Sequence, residues 1–192
     1  YGISGNTGVA AYGVVANISL VVASVFTGIA QGVQPLISRA HGEGEGAKGR
    51  SCFCLSLIFA AVFSVLVYLI IFFFAEPVAD IFNRERDPLL TAMAAEGMRI
   101  YFTAMPFLGF NIIACTYFSS NEKPLPAHII SFLRGLLVII PAAFLLSSLL
   151  ALTGVWLSYP VTESIVCIVS AIIYAVMCRR ENRFAKKSDE IL

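Results

Sequence analysis

The chain has 192 residues, 58% of them hydrophobic and only 13% charged. A soluble domain carries about 25% charged residues, so one soluble core does not hide this much apolar surface, and the expected solvent is lipid. A net charge of +1 gives no reason to expect a nucleic-acid partner.

The chain opens at Tyr1 without a basic leader or cleavage site and reads as a fragment whose beginning is missing. A membrane-spanning helix needs about 20 apolar residues at 1.5 Å rise each. The uncharged run over 8–38 is longer than one span requires and is expected to tilt or protrude. The glycine-rich stretch HGEGEGAKGR (41–50) follows. It has no GxxxxGK[ST] pattern and reads as a flexible connector rather than a phosphate loop.

The second span is expected over 51–74, SCFCLSLIFAAVFSVLVYLIIFFF. After it, 76–98 reads as an outer-surface segment with helical character, with Pro77 and Pro88 at helix starts. A third span is expected over 96–119. Two more, over 128–151 and 155–178, are joined by a tight turn at Leu152-Thr153-Gly154. The fold class is therefore all-α: an integral membrane bundle of about five spans (residues 1–178) with a basic tail (179–192).

Lys and Arg favour cytoplasmic loops. If the loop after the first span is cytoplasmic, nine basic residues lie inside, namely Arg39, Lys48, Arg50, Lys123 and five of the tail, against Arg84, Arg86 and Arg99 outside. The C-terminus is then cytoplasmic, with its tail near anionic headgroups.

Polar groups in lipid need partners or a hydrated cavity. At 100° per residue, Asn17, Ser24, Thr27, Gln31 and Gln34 share roughly a third of the first helix's circumference. Such a stripe suits a hydrated pathway, or else hydrogen bonds to neighbouring helices. Ser24, Gly28 and Gly32 form a small-residue row beside it, read as a packing seam. Pro35 marks a possible loosening of the last turn.

In the third span, Tyr101, Asn111 and Tyr117 are pathway candidates, and Pro106 with Gly109 marks a hinge. Met98 and Met105 with the aromatics suit an adaptable cavity for greasy cations, or ordinary packing. Pro141 and Pro160 are further hinge candidates in the last two spans.

Two charges stand within those last spans, Arg134 and Glu163. From the expected boundaries they lie at depths of about 9 Å and 12 Å from opposite faces. An axial gap of about 9 Å then separates them in a core of about 30 Å. A shift of one turn closes it, giving an ion pair. Otherwise each faces a cavity, and Glu163 is the candidate for taking up a proton or Na⁺.

Five cysteines, at 52, 54, 115, 167 and 178, lack a CxxC pair and read as small apolar fillers, with no metal site. His41 and His128 have no ligand partner at metal spacing. No GxSxG or HExxH motif suggests an enzyme.

The stretch GVAAYGVVANISLVVASVFTGIAQGVQPLISRAHGEG resembles the start of the second half of a multidrug and toxic compound extrusion (MATE) transporter. ISFLRGLLVIIP (130–141) and GVWLSYPVTESI (154–165) resemble that family's last two helices. The resemblance covers nearly the whole chain. It implies a twelve-helix, two-lobed transporter of which this chain holds helices eight to twelve, with the N-terminal half and helix seven as missing partners. It further implies plasma-membrane efflux of cationic amphipathic compounds in exchange for Na⁺ or H⁺, with no other cofactor. Gln31, Gln34 and Pro35 fall in the helix-eight motif, Arg134 in the helix-eleven motif, and Pro160 and Glu163 in the helix-twelve motif.

The chain departs from some branches of the family in helix ten. There PFLGFNII (106–113) has no carboxylate. Two rivals remain: a lipid-linked oligosaccharide flippase of similar architecture, which needs a cavity rich in Arg and Lys, and a non-transporting membrane scaffold.

Overall fold

In a computed structural model the chain is described over residues 3–83 and 86–189, with side chains described for 5–83 and 86–179. Among the described residues there is no strand, and helices follow one another with short connections. They are α1 (Ile3–Gly42), α2 (Gly46–Phe82), α3 (Pro88–Tyr101), α4 (Met105–Ser120), α5 (Pro124–Phe132) and α6 (Ile139–Asp189). A 3₁₀ turn (Phe102–Ala104) links α3 to α4, and a π-helical turn (Leu133–Leu137) links α5 to α6.

The connector expected over 41–50 is mostly helical. α1 runs through Gly42 and α2 starts at Gly46. Gly44, at φ +75°, closes α1. Its N–H reaches the carbonyl of His41, and the next N–H, of Glu45, reaches that of Ala40 at 2.8 Å. This pair of bonds is the Schellman arrangement, and it turns the chain in three residues.

Three prolines distort the helix one turn upstream, where the ring meets the carbonyl four residues back. Pro77 lies inside α2 rather than at a helix start, and the irregular residue is Phe74 (φ −118°, ψ 21°). Pro106 follows the 3₁₀ turn at Phe102–Ala104. Pro141 follows the π turn, in which the N–H of Val138 reaches the carbonyl of Leu133. Pro35 and Pro160 sit in runs that stay α-helical. Pro88, by contrast, starts α3, capped by Asp87, whose carboxylate accepts the N–H of Leu89 at 2.9 Å.

α6 is two helices. The chain reverses at Ala151 (φ 51°, ψ −126°), and a Cβ at Gly154 would run into the carbonyl of Leu146. The expected turn at 152–154 thus begins one residue earlier. The four long apolar helical runs therefore make five antiparallel segments, because the last run folds back on itself. Side chains beyond Arg179, and Arg84, lie outside the described residues, and with them most of the basic tail.

The lobe is apolar outside as well as inside. Exposed on α2 are Leu55, Ile58, Phe59, Val62 and Leu66, and on α6 Phe144, Leu149, Ile168 and Ile172. Such a surface suits lipid. Apart from Phe53 and Ile71, the buried seam of α2 is made of small residues, Gly49, Ser56, Ala60, Ser64, Ala75 and Ala79, which allow close helix approach. Phe26, Phe53, Phe102, Phe118, Met105 and Trp156 fill the centre. Two glycines make room for rings: a Cβ on Gly97 would lie 2.7 Å from the Trp156 indole, and one on Gly109 would lie 2.8 Å from Phe26.

Candidate functional site

Arg134 and Glu163 meet. The Arg134 Nε donates to Glu163 Oε1 at 3.0 Å, with the Glu163 side chain 1% exposed and that of Arg134 25% exposed. Two features close the gap expected from sequence. The reversal falls at Ala151, leaving Arg134 five residues further from it than Glu163 is. That offset is about 7 Å along the axes, which an extended arginine covers. Arg134 also sits on the π turn, whose wider backbone carries it off the ordinary helical register.

The second carboxylate oxygen is held from α4. Asn111 Nδ2 donates to Glu163 Oε2 at 2.8 Å and to the Glu163 backbone carbonyl at 3.0 Å. Ser170 Oγ donates to Asn111 Oδ1 at 3.2 Å. Asn111 and Ser170 are both fully buried. The Tyr159 hydroxyl lies against both Arg134 and Glu163. Asn111, expected on a pathway, lies in this buried network. Glu163 and Ser170, seven residues apart, share a helix face, a spacing that marks Ser170 in retrospect.

Tyr101 and Tyr117, expected on a pathway, are likewise inside the bundle, each 5% exposed. Tyr101 stacks on Tyr159 with ring centroids 4.4 Å apart and planes at 4°. Tyr117 packs against Phe53 and Tyr174 at 4.5 Å and 5.6 Å. Met98 and Met105 are fully buried in the same core. Gly109 is a packing position under Phe26, and the irregular backbone lies one turn before Pro106 instead.

The α1 stripe behaves differently. Asn17, Ser24, Thr27, Gln31 and Gln34 are all exposed. The hydroxyls of Ser24 and Thr27 donate back to the carbonyls of Leu20 and Ala23 in their own helix. Among the described residues nothing lies within 4 Å of a Cβ built on Gly28 or Gly32, so no described helix takes up the small-residue row. About 100° round the helix the exposed face turns apolar, with Val21, Val25 and Leu36.

Where α1, α4 and α5 come together near Gln34, an open groove of about 700 Å³ is lined by Gln34, Thr116, Ser119, His128, Ser131 and Phe132, with Cys115 and Ala127 at its floor. Cys115 contacts the Ala127 carbonyl at 3.4 Å and Ser131 Oγ at 3.5 Å. The other four cysteines are also free thiols. The groove was not anticipated. Its residues are single polar positions in apolar runs and carry no motif.

The fold and the buried charge pair define a multi-pass membrane protein built as one helical lobe. The MatE family profile matches residues 1–145. The chain belongs to the MatE family, whose members are transporters and not enzymes.

Among curated relatives, a protein of Shewanella oneidensis named "FAD transporter" is 28% identical over 82% of this chain and 34% of its own length. The "Multidrug export protein MepA" of Staphylococcus aureus is 23% identical over 91% of this chain and 38% of its own. The chain thus spans about a third of the length of the curated relatives it matches. Two solved structures share its fold. An outward-facing multidrug resistance MATE family transporter gives a TM-score of 0.86 at 18% identity, over 93% of this chain and 40% of that one. An inward-facing one gives 0.82 at 17% identity, over 88% and 39%.

Proposed function

We propose that the chain is the C-terminal lobe, helices eight to twelve, of a secondary active efflux antiporter. In this reading the lobe sits in the plasma (inner) membrane with its C-terminus cytoplasmic. With a second, N-terminal lobe it encloses a central cavity that opens to each side in turn. The cargo is an amphipathic compound, cationic on the resemblance, exchanged for Na⁺ or H⁺.

The observation that carries the reading is the α1 stripe. Five amide and hydroxyl side chains of a span-length helix are exposed, and no described helix covers them. Polar groups left toward hydrocarbon are costly, so this face is read as turned to water and to a partner lobe. A scaffold predicts a stripe spent on helix contacts within the bundle. A flippase needs cavity cations, whereas Arg134 is tied to Glu163. The likeness of the same five segments to both an outward-facing and an inward-facing structure supports a lobe that moves as a unit.

Cysteine scanning of the protein in its native membrane tests this. Positions 17, 24, 27, 31 and 34 are expected to react with a water-soluble maleimide, while 21, 25 and 36 are not. Equal silence at both sets would overturn the pathway.

A further inference from the structure

We propose that the α1–α4–α5 groove is a subsite for an uncharged hydrogen-bonding group of the cargo, such as an amide- or imide-bearing ring, and not for a positive charge. This rests on the transport reading and refines which part of the cargo the lobe holds. Its volume of about 700 Å³ falls within the range of small-molecule sites, about 300–1,000 Å³. It also continues the α1 stripe, since Gln34 belongs to both.

The lining chemistry decides the class. Gln34 offers a carboxamide that both donates and accepts, and Thr116, Ser119 and Ser131 offer hydroxyls. Phe132 supplies an aromatic face. His128 Nδ1 lies 2.7 Å from the Pro124 carbonyl, which only accepts, so Nδ1 carries the hydrogen and Nε2 is the nitrogen left for a ligand. Among the described residues, no carboxylate lines the groove.

Glu163, the acidic side chain within the last two spans, is 1% exposed and has both oxygens occupied, by Arg134 and Asn111. Among the described lining residues a cation therefore meets neutral dipoles and a histidine, with one aromatic face and no countercharge. An anion fares no better, because no Lys or Arg is among the described lining residues and the Arg134 guanidinium is engaged by Glu163. A neutral group with donors and acceptors of its own is the ligand that satisfies these side chains without leaving a charge unpaired.

The test uses the 192-residue chain in phosphatidylcholine nanodiscs, carrying Ser119→Cys and labelled with a water-soluble maleimide, with peptide-resolved mass spectrometry separating that site from the native thiols. Three probes sharing a naphthalene frame are compared: neutral 1,8-naphthalimide, cationic 2-naphthyltrimethylammonium and anionic naphthalene-2-sulfonate. Naphthalimide is expected to slow labelling saturably by about tenfold, with the two ions leaving it nearly unchanged. Gln34→Leu is expected to weaken naphthalimide protection by about tenfold, the worth of one hydrogen-bonding group, with the circular-dichroism melt unchanged.

Protection by the ammonium equal to that by the imide would overturn the proposal. So would normal labelling that naphthalimide does not slow, or a cysteine at 119 that never labels, since the groove must be open. The pathway is judged at positions 17, 24, 27 and 31, which do not line the groove, so the pathway and the groove fail separately.

Discussion

At the scale of single residues, neither Arg134 nor Glu163 is tolerable alone in a bundle core. An isolated buried charge is strongly unfavourable, and breaking a buried pair by removing one partner costs about 3–5 kcal/mol. Here the carboxylate also accepts from Asn111, which Ser170 in turn orients, so its two oxygens are held from two elements, the π turn and α4. Arg134→Ala is therefore expected to destabilise the lobe by about 3–5 kcal/mol. The double replacement Arg134→Met with Glu163→Met is expected to recover most of that loss, because it leaves no orphaned charge. Thermal unfolding in detergent, followed by circular dichroism, measures both. A double variant no more stable than the single one would show that the pair's geometry, and not its charge balance, holds the hairpin.

At the scale of elements, backbone irregularity decides which side chains meet. The π turn aims Arg134, and the 3₁₀ turn before Pro106 lets α3 and α4 make one bent run. The hairpin of α6 depends on Ala151 at φ 51° and ψ −126°, a conformation that glycine adopts at little cost and alanine does not. Ala151→Gly is expected to stabilise the hairpin by about 1 kcal/mol, and Ala151→Val to destabilise it by about 1–3 kcal/mol. The shift in unfolding midpoint checks the sign. Lower stability for the glycine variant would mean that the reversal is made elsewhere.

At the scale of the whole molecule, the lobe has a finished interior and an unfinished face. Its core is filled by large rings, and its charge pair is satisfied. The outward face of α1 nevertheless carries exposed amides and an open small-residue row. On the proposed reading that face needs a second lobe, so vesicles containing this chain alone are expected to show no efflux above the lipid leak. Saturable efflux of an amphipathic dye from such vesicles would refute the two-lobe mechanism.

The sequence by itself determined the solvent and the class of the fold, since 58% hydrophobic residues in long charge-free runs have nowhere to go but lipid. It also singled out Arg134 and Glu163, because charges stranded in such runs are rare and costly. It could separate the two faces of α1, where the helical period is regular from 17 to 34. It did not separate core from pathway in α4. Asn111, Tyr117 and Gly109 look as polar or as mobile as the stripe does, and only the crossing of α1, α2 and α6 over that helix buries them. The groove and the carboxylate's partner Asn111 were likewise decided by tertiary structure. They join residues 52 to 97 positions apart in the chain, such as Asn111 with Glu163 and Gln34 with Ser131. No local period encodes where separate helices cross.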